Sequence, residues 1–195
     1  MSLINKIIGK LNLSPTKEKV VRNVVWAVTG KVVTLLGGLL VGIFVARYLG
    51  PEQYGLMNYV VSFVMLFQVF ASFGMDNIEI REESKIPEEK DKIIGTAFTL
   101  KIGFAVITIG LVCLMAWLFE TNSFTKWMIV LYSLSMIMNS FNVIRNYFTS
   151  LVWNEYIVKT EISRTLIGAG IKVVLLLLDA PFIYFFIAIL FDTIL

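Results

Sequence analysis

The sequence predicts an all-α protein that crosses a membrane several times. Apolar residues make up 57% of the 195 residues and charged residues only 16%, and the mean hydropathy is +0.81. Soluble domains are about 45–50% apolar and about 25% charged. The apolar residues also fall in runs of about 20, the length that a helix needs to cross the ~30 Å hydrocarbon core of a bilayer. These observations indicate a polytopic transmembrane helix bundle.

The chain opens with a basic tail, residues 1–22, which lacks the compact apolar core and cleavage site of a secretory signal. The first span is predicted at residues 23–48 and the second at 54–75. Between them, Gly50 can adopt the left-handed conformation that ends a helix, and Pro51 suits the first position of the next helix. The two spans are therefore expected to meet at a tight corner.

Four more apolar segments follow, so we predict a six-helix transmembrane lobe over residues 23–195. A charged aqueous loop is expected at residues 76–92, and an amphipathic connection at 145–164. The last segment would be roughly 21 Å long at 1.5 Å per residue, which is too short to span, so we expect the polypeptide to be cut within a helix. The four spans are predicted at residues 93–119, 125–144, 162–178 and 182–195.

The distribution of lysine and arginine predicts a cytoplasmic N-terminus. With that end inside, the tail and the two charged connections carry twelve of the 17 basic residues, as the positive-inside rule requires.

The composition leaves little chemistry for an enzyme. The sequence has no histidine, which removes imidazole zinc sites and the most common general base. The single cysteine, Cys113, has no partner for a disulfide. No intramembrane carboxylate pair, metal-ligand cluster or phosphate-binding glycine loop can be assembled. We therefore expect no catalytic residue, no metal, no cofactor and no nucleic-acid partner.

The first span carries a stripe of small and polar residues. Lys31, Thr34, Gly38 and Gly42 fall on one helical face. The two glycines have the spacing by which membrane helices pack closely, and packing is the interpretation that we favour for them. A charge within a span costs ~2.5–3.5 kcal/mol, so Lys31 is predicted to contact an anion in a cavity, with snorkelling to the inner surface as the alternative.

Polar stripes also occur on the second and fourth spans. In lipid such groups must face protein or water, so they either bond helices together or line a hydrated cavity. Together with the lysines, they favour a cavity. Its candidate residues on these two spans are Asn58, Gln68, Asn139 and Asn142.

Two more lysines are cavity candidates. Lys172 lies deep in the fifth span, where it cannot easily snorkel, and we predict an internal anion or gating contact. An ion pair that holds the bundle together is the alternative, although Asp179 is too far along the helix to be a good partner. Lys101 is the weaker candidate, since its ammonium can also lie at the interface. Basic pockets within a helix bundle suit phosphate head groups.

Three segments carry a resemblance to a known family: NVVWAVTGKVV, ARYLGPEQYG and the FGMDN-x-E-x-RE ending of the second span. In these segments the chain resembles bacterial polysaccharide flippases of the O-antigen type, whose superfamily also contains multidrug efflux and peptidoglycan-precursor flippases. The resemblance covers about the first 85 residues, and the later spans match in number and spacing.

The resemblance implies a transporter of two six-helix lobes, of which this chain is the amino-terminal one. Such a protein moves an oligosaccharide on a polyprenyl pyrophosphate carrier across the inner membrane, through a cationic cavity that opens alternately to each side. The commonly basic position in that cavity corresponds to Lys31. Membrane lipid, a missing carboxy-terminal lobe and a glycosyltransferase or polymerase are the implied partners.

Two other functions stay open at this stage. A multidrug-type cation antiporter of the same superfamily would use intramembrane carboxylates for coupling, and none is found in the interiors of the predicted spans. A non-transporting scaffold of a polysaccharide assembly complex would co-purify with a glycosyltransferase or polymerase and show no flipping activity.

Overall fold

The computed structural model describes residues 15–151 and 153–194, and within them it is built of α-helices joined by short turns. The predicted all-α class is confirmed for this part of the chain. The basic tail falls on residues 1–14, outside the described residues, and on the first turns of the first helix. The helices are α1 (Pro15–Ser72), α2 (Met75–Lys85), α3 (Lys90–Phe119), α4 (Ser123–Ser133), α5 (Ser135–Asn139), α6 (Asn142–Ser150), α7 (Asn154–Leu177) and α8 (Phe182–Ile194).

Helix α1 is bent into two arms, residues 15–49 and 51–72, at the predicted corner. Gly50 has a φ of 71° and a ψ of 174°, so its backbone has the positive φ that only glycine adopts without steric cost. Its ψ is extended rather than left-handed helical. Pro51 begins the second arm, where its missing N–H leaves no helical bond unmade. The bend turns one helix into two walls.

The number of membrane spans is not confirmed as six. Among the described residues, the helical stretches Val24–Lys85, Lys90–Phe119 and Ser123–Ser150 are long and apolar enough to cross a membrane. The first of these includes the bend in α1. Charged side chains interrupt α7, and the apolar part of α8, Phe182–Thr193, is short.

The apolar core lies between the arms of α1 and the helices α3, α4, α5 and α8. Its largest fully buried side chains include Ile129, Phe185 and Phe186. Many large apolar side chains point outward instead, among them Leu66, Trp117 and Phe119. Apolar patches of this extent are rare on soluble monomers, and they suit a surface that lipid covers.

The charged segment at residues 76–92 is not the aqueous loop that the sequence predicts. Its first half forms α2, which packs against α3 and α6. The side chains of Glu79 and Glu83 on this helix are buried. Charged composition alone indicates an exposed loop, but a charged helix is stable inside a bundle when its ionised groups find partners.

Glu79 finds its partners within a group of four side chains, which we call the junction cluster: Asp76, Glu79, Lys101 and Asn146. The Lys101 ammonium is buried and donates to Asp76 Oδ1 at 2.8 Å and to Glu79 Oε2 at 2.5 Å. Asn146 Nδ2 on α6 donates to the same two oxygens at 2.9 Å each. The junction cluster therefore ties α2 to both α3 and α6, and Lys101 serves as its only cation.

We expect Lys101→Met to destabilise the fold by ~3–5 kcal/mol, because it leaves the buried Glu79 carboxylate without its cation. Thermal unfolding of the purified chain in detergent measures the loss. The matched control is Lys92→Met at the start of α3, where the side chain is 77% exposed and its surface ion pair contributes little. Equal losses in the two variants would contradict a structural role for the junction cluster.

Candidate functional site

A cavity of about 700 Å³, which we call the basic groove, lies between the two arms of α1 and the helices α4, α5, α7 and α8. Its volume falls within the ~300–1,000 Å³ of small-molecule sites. The groove is open, since several of its lining residues are exposed. The charged residues that line it are Lys31, Arg164, Lys172 and Asp192.

Five of the seven predicted cavity residues line the basic groove: Lys31, Asn58, Gln68, Asn139 and Lys172. They come from both arms of α1 and from α5 and α7, so the bundle brings together residues that are far apart in the sequence.

The other two predicted residues lie elsewhere. Asn142 lines two adjoining cavities and donates to Asn139 Oδ1 at 3.3 Å. Lys101 belongs to the junction cluster, and its ammonium is occupied by two carboxylates.

The glycine stripe of α1 faces the basic groove. A Cβ placed on Gly38 or Gly42 would meet no described atom within 4 Å, so the close helix packing predicted for these two glycines is wrong. The close approach occurs on another side of the helix, where a Cβ on Gly37 would lie 3.3 Å from Thr165 Cγ2 of α7. The absence of side chains at Gly38 and Gly42 widens the groove near Lys31.

Lys172 forms an ion pair with the carboxylate of Asp192 on α8. The turn at residues 178–181 folds α8 back along α7, which brings these two residues together. Arg164 Nη1 donates to the Asp192 carbonyl oxygen at 3.2 Å. The ion pair remains partly accessible from the groove, with side-chain exposures of 20% for Lys172 and 26% for Asp192.

Gly168 gives Asp192 its space against α7. A Cβ at Gly168 would overlap the Asp192 carboxylate, with the carboxyl carbon only 2.7 Å away. Since Gly168 and Lys172 are four residues apart, they share one helical face. One face of α7 therefore carries both the Lys172 ammonium and, at Gly168, the space that the Asp192 carboxylate occupies.

The basic groove carries a positive balance of charge. Three basic residues line it against one acidic residue, and Lys31 makes no ion pair within the described part of the chain. Clefts lined by one sign of charge between low-dielectric walls concentrate ligands of the opposite sign. Arginine and lysine are the side chains that bind phosphate. The groove therefore suits an anionic ligand with phosphate groups.

Arg164 and Asp192 were missed as site residues from the sequence. Arg164 precedes Lys172 by eight residues, so helical periodicity puts the two on the same side of α7. The sequence therefore contained a signal that could have identified Arg164. Asp192 could have been found only by folding the last two segments into a hairpin about the turn before α8. Such pairing depends on helix topology rather than on local spacing.

A family model described as polysaccharide biosynthesis protein matches residues 20–195. The matched range includes every residue that lines the basic groove. No curated protein and no solved structure matches the chain.

We expect Gly168→Ala to destabilise the protein by ~1–3 kcal/mol, because the added methyl group would push the Asp192 carboxylate away from Lys172. Thermal unfolding in detergent measures the effect. Gly170→Ala is the matched control, since a Cβ there meets no atom within 4 Å and alanine favours the helix by ~0.5–1 kcal/mol. A Gly168→Ala protein as stable as the control would show that Asp192 moves aside freely.

Proposed function

Because the chain belongs to the polysaccharide biosynthesis protein family, we propose that it translocates a polyprenyl-pyrophosphate-linked oligosaccharide across the inner membrane. One observation carries the proposal. A groove with three basic residues and one acidic residue lies among apolar helices whose outer faces suit lipid. A substrate with an anionic centre, a polar sugar chain and a lipid tail matches the basic residues of the groove, its neutral polar residues and the apolar outer faces of the helices.

The pyrophosphate is proposed to bind at the basic residues of the groove. Lys31 offers an ammonium with no ion pair in the described residues, and Arg164 can donate several N–H groups at fixed angles. Lys172 is held by Asp192, which lowers the cost of keeping its charge among apolar helices. A pyrophosphate that displaces Asp192 exchanges one anionic partner for another, so Lys172 stays neutralised throughout.

The sugar chain is proposed to lie along the neutral polar residues of the same groove. Asn58, Gln68 and Asn139 each offer an amide that both donates and accepts, and such pairs of donor and acceptor match sugar hydroxyls. The lipid tail stays in the bilayer, against the outward apolar side chains of α1. The protein thus shields the polar part of the substrate and makes no covalent change to it.

We place the N-terminus in the cytoplasm, because basic residues concentrate in the tail and the two charged connections. The described helices are proposed to form the amino-terminal lobe of a two-lobe transporter. The basic groove would be the face of this lobe that turns toward the other. Rocking of the two lobes would then open the groove to each side of the membrane in turn.

A multidrug antiporter for cationic compounds is the less favoured function. The groove carries more basic than acidic residues, so a cationic drug would be repelled where an anion is attracted. The experiments below distinguish a scaffold without transport activity from the proposed transporter.

We expect Lys31→Ala and Lys172→Ala each to weaken binding of a short-chain polyprenyl-diphosphate disaccharide by about tenfold or more. A hydrogen bond to a charged group contributes ~1.5–3 kcal/mol, and about 1.4 kcal/mol corresponds to a factor of ten in affinity. The dissociation constant is measured on the purified protein in nanodiscs. Lys92→Ala is the control, since that exposed lysine does not line the groove.

The same variants are then compared in vesicles that contain a fluorescent lipid-linked oligosaccharide. Slower translocation in Lys31→Ala and Lys172→Ala, but not in Lys92→Ala, is the expected result. If both groove variants bind and translocate the substrate as the wild type does, the cavity role is wrong. Wild-type protein that binds no substrate and co-purifies with a glycosyltransferase would indicate the scaffold.

A further inference from the structure

A second charged site lies outside the basic groove, where α2 meets α3 and α6. There the junction cluster is adjoined by Glu83, one turn further along α2 than Glu79. We infer that Glu83 binds an exchangeable proton at neutral pH. This site is separate from the residues to which we assign the phosphate.

The burial and hydrogen bonding of the two glutamates decide which of them holds the proton. Glu79 Oε2 accepts from Lys101 and from Asn146, so its charge is paired with an ammonium, although its buried Oε1 has no partner among the described residues. Glu83 is only 4% exposed, and neither of its carboxylate oxygens has a hydrogen-bond partner among the described residues. Burying an ionised carboxylate without partners is far more costly than burying the neutral acid. The proton therefore belongs on Glu83.

The charge of the junction gives the same result. Asp76 and Glu79 already outnumber the single ammonium of Lys101, and an ionised Glu83 would add a third negative charge. When a hydronium ion supplies the proton, one of its O–H bonds breaks, an O–H bond forms on the Glu83 carboxylate, a water molecule is left, and one negative charge is removed from the junction. Like charges that share a buried site favour the protonated form of one of them.

The groups that face Glu83 do not reverse this preference. Helix α2, with six charged residues, is the polar end of the stretch Val24–Lys85 and lies outside its apolar span. Burial raises the pKa of Glu83, as does the Glu79 carboxylate. The Ser150 hydroxyl and the Lys101 ammonium act in the opposite direction. The Ser150 hydroxyl donates to the Tyr147 carbonyl oxygen at 2.8 Å.

Of the other basic groups on α3 and α6, two have carboxylate partners, and Lys90 lies 5.8 Å from the centre of the Tyr147 ring on α6. Arg145 on α6 pairs with Glu161 at 2.5 Å. Near the start of α3, Lys92 pairs at 3.6 Å with Glu89 of a 3₁₀ turn at Pro87–Glu89. None of these cations bonds to Glu83, whose carboxylate oxygens have no hydrogen-bond partner among the described residues.

Two cavities give protons a way to the junction. One, of about 330 Å³, lies between α2 and the start of α3 and is lined by Glu79. The other, of about 210 Å³, is lined by Asp76 and Lys101. Members of the junction cluster therefore line both cavities, whereas Glu83 itself lines neither of them.

The smaller cavity also adjoins the basic groove. Gln68 and Asn139 line both spaces. The buried Ser140 hydroxyl, which has no partner within the described chain, lines the smaller cavity as well, and such polar cavities hold water. The junction cluster is thus connected to the groove by polar groups. The connection has a transport role only if the proposed function holds, whereas the proton site itself does not depend on it.

Infrared spectroscopy of the protein in nanodiscs tests the proton site directly. At neutral pH we expect the carbonyl band of a protonated carboxyl group, and we expect it to shift in D₂O because the proton exchanges. Glu83→Gln should remove this band, while the control Glu88→Gln, at an exposed position on the 3₁₀ turn, should retain it. The same band in both variants would overturn the assignment.

The pH dependence of stability gives a second measurement on the same proteins. The folded chain keeps the Glu83 proton at pH values where the unfolded chain has lost it, so stability should fall as pH rises above the usual glutamate range. Glu83→Gln should lack this part of the slope and Glu88→Gln should keep it. If Glu83→Gln does not fold, the carbonyl band of the wild-type protein is titrated against pH instead. Absence of the band from about pH 5 upward would refute the proton site.

A third measurement separates the proton site from the transport function. Binding of the diphosphate disaccharide is followed against pH in the wild type and in Glu83→Gln. A pH dependence that only the wild type shows supports the connection to the groove. An intact infrared band with pH-independent binding would reject the connection. Unchanged binding and translocation in both Lys31→Ala and Lys172→Ala would reject the proposed role of the groove and leave the proton site standing.

Discussion

A charged side chain on an apolar helix needs either an opposite charge or contact with water, and this requirement arranges the interior of the bundle. Lys101 meets it by pairing with two carboxylates of α2, and Lys172 meets it by pairing with Asp192 of α8. Each pairing fixes a helix whose own sequence would not hold it in place: α2 is too polar and α8 is short. Lys31 has no such partner in the described residues and lies in the basic groove instead.

Glycines of α1 form the groove in two different ways. Gly50 lets the backbone turn, so that the two arms form adjacent walls instead of one continuous rod. Gly38 and Gly42 leave open space along the first arm. In a membrane the polar groups on such walls cannot face lipid without large cost. The space between the walls is therefore where the amides and charges of the spans converge.

Local rules were enough to predict the helical class, the corner at Gly50 and the five groove residues, because composition, turn chemistry and the 3.6-residue period act over short distances. They failed where a contact depends on topology. Asp192 lies 20 residues from Lys172, and Asp76 lies 25 residues from Lys101. Because the sequence does not show these ion pairs, it predicts an aqueous loop where α2 packs in the bundle. It also does not show the bundle's topology, so it predicts helix packing at Gly38 and Gly42, which face open space.

The basic groove and the acidic junction have opposite charge and adjoin one cavity, which makes them electrostatically dependent on each other. If the proposed function holds, an anion bound in the groove would add negative potential at the junction. Binding of the anion would therefore strengthen the hold of Glu83 on its proton. Because coupling between two binding sites is reciprocal, a proton on Glu83 would in turn favour the anion. Proton and phosphate would thus be bound together and released together.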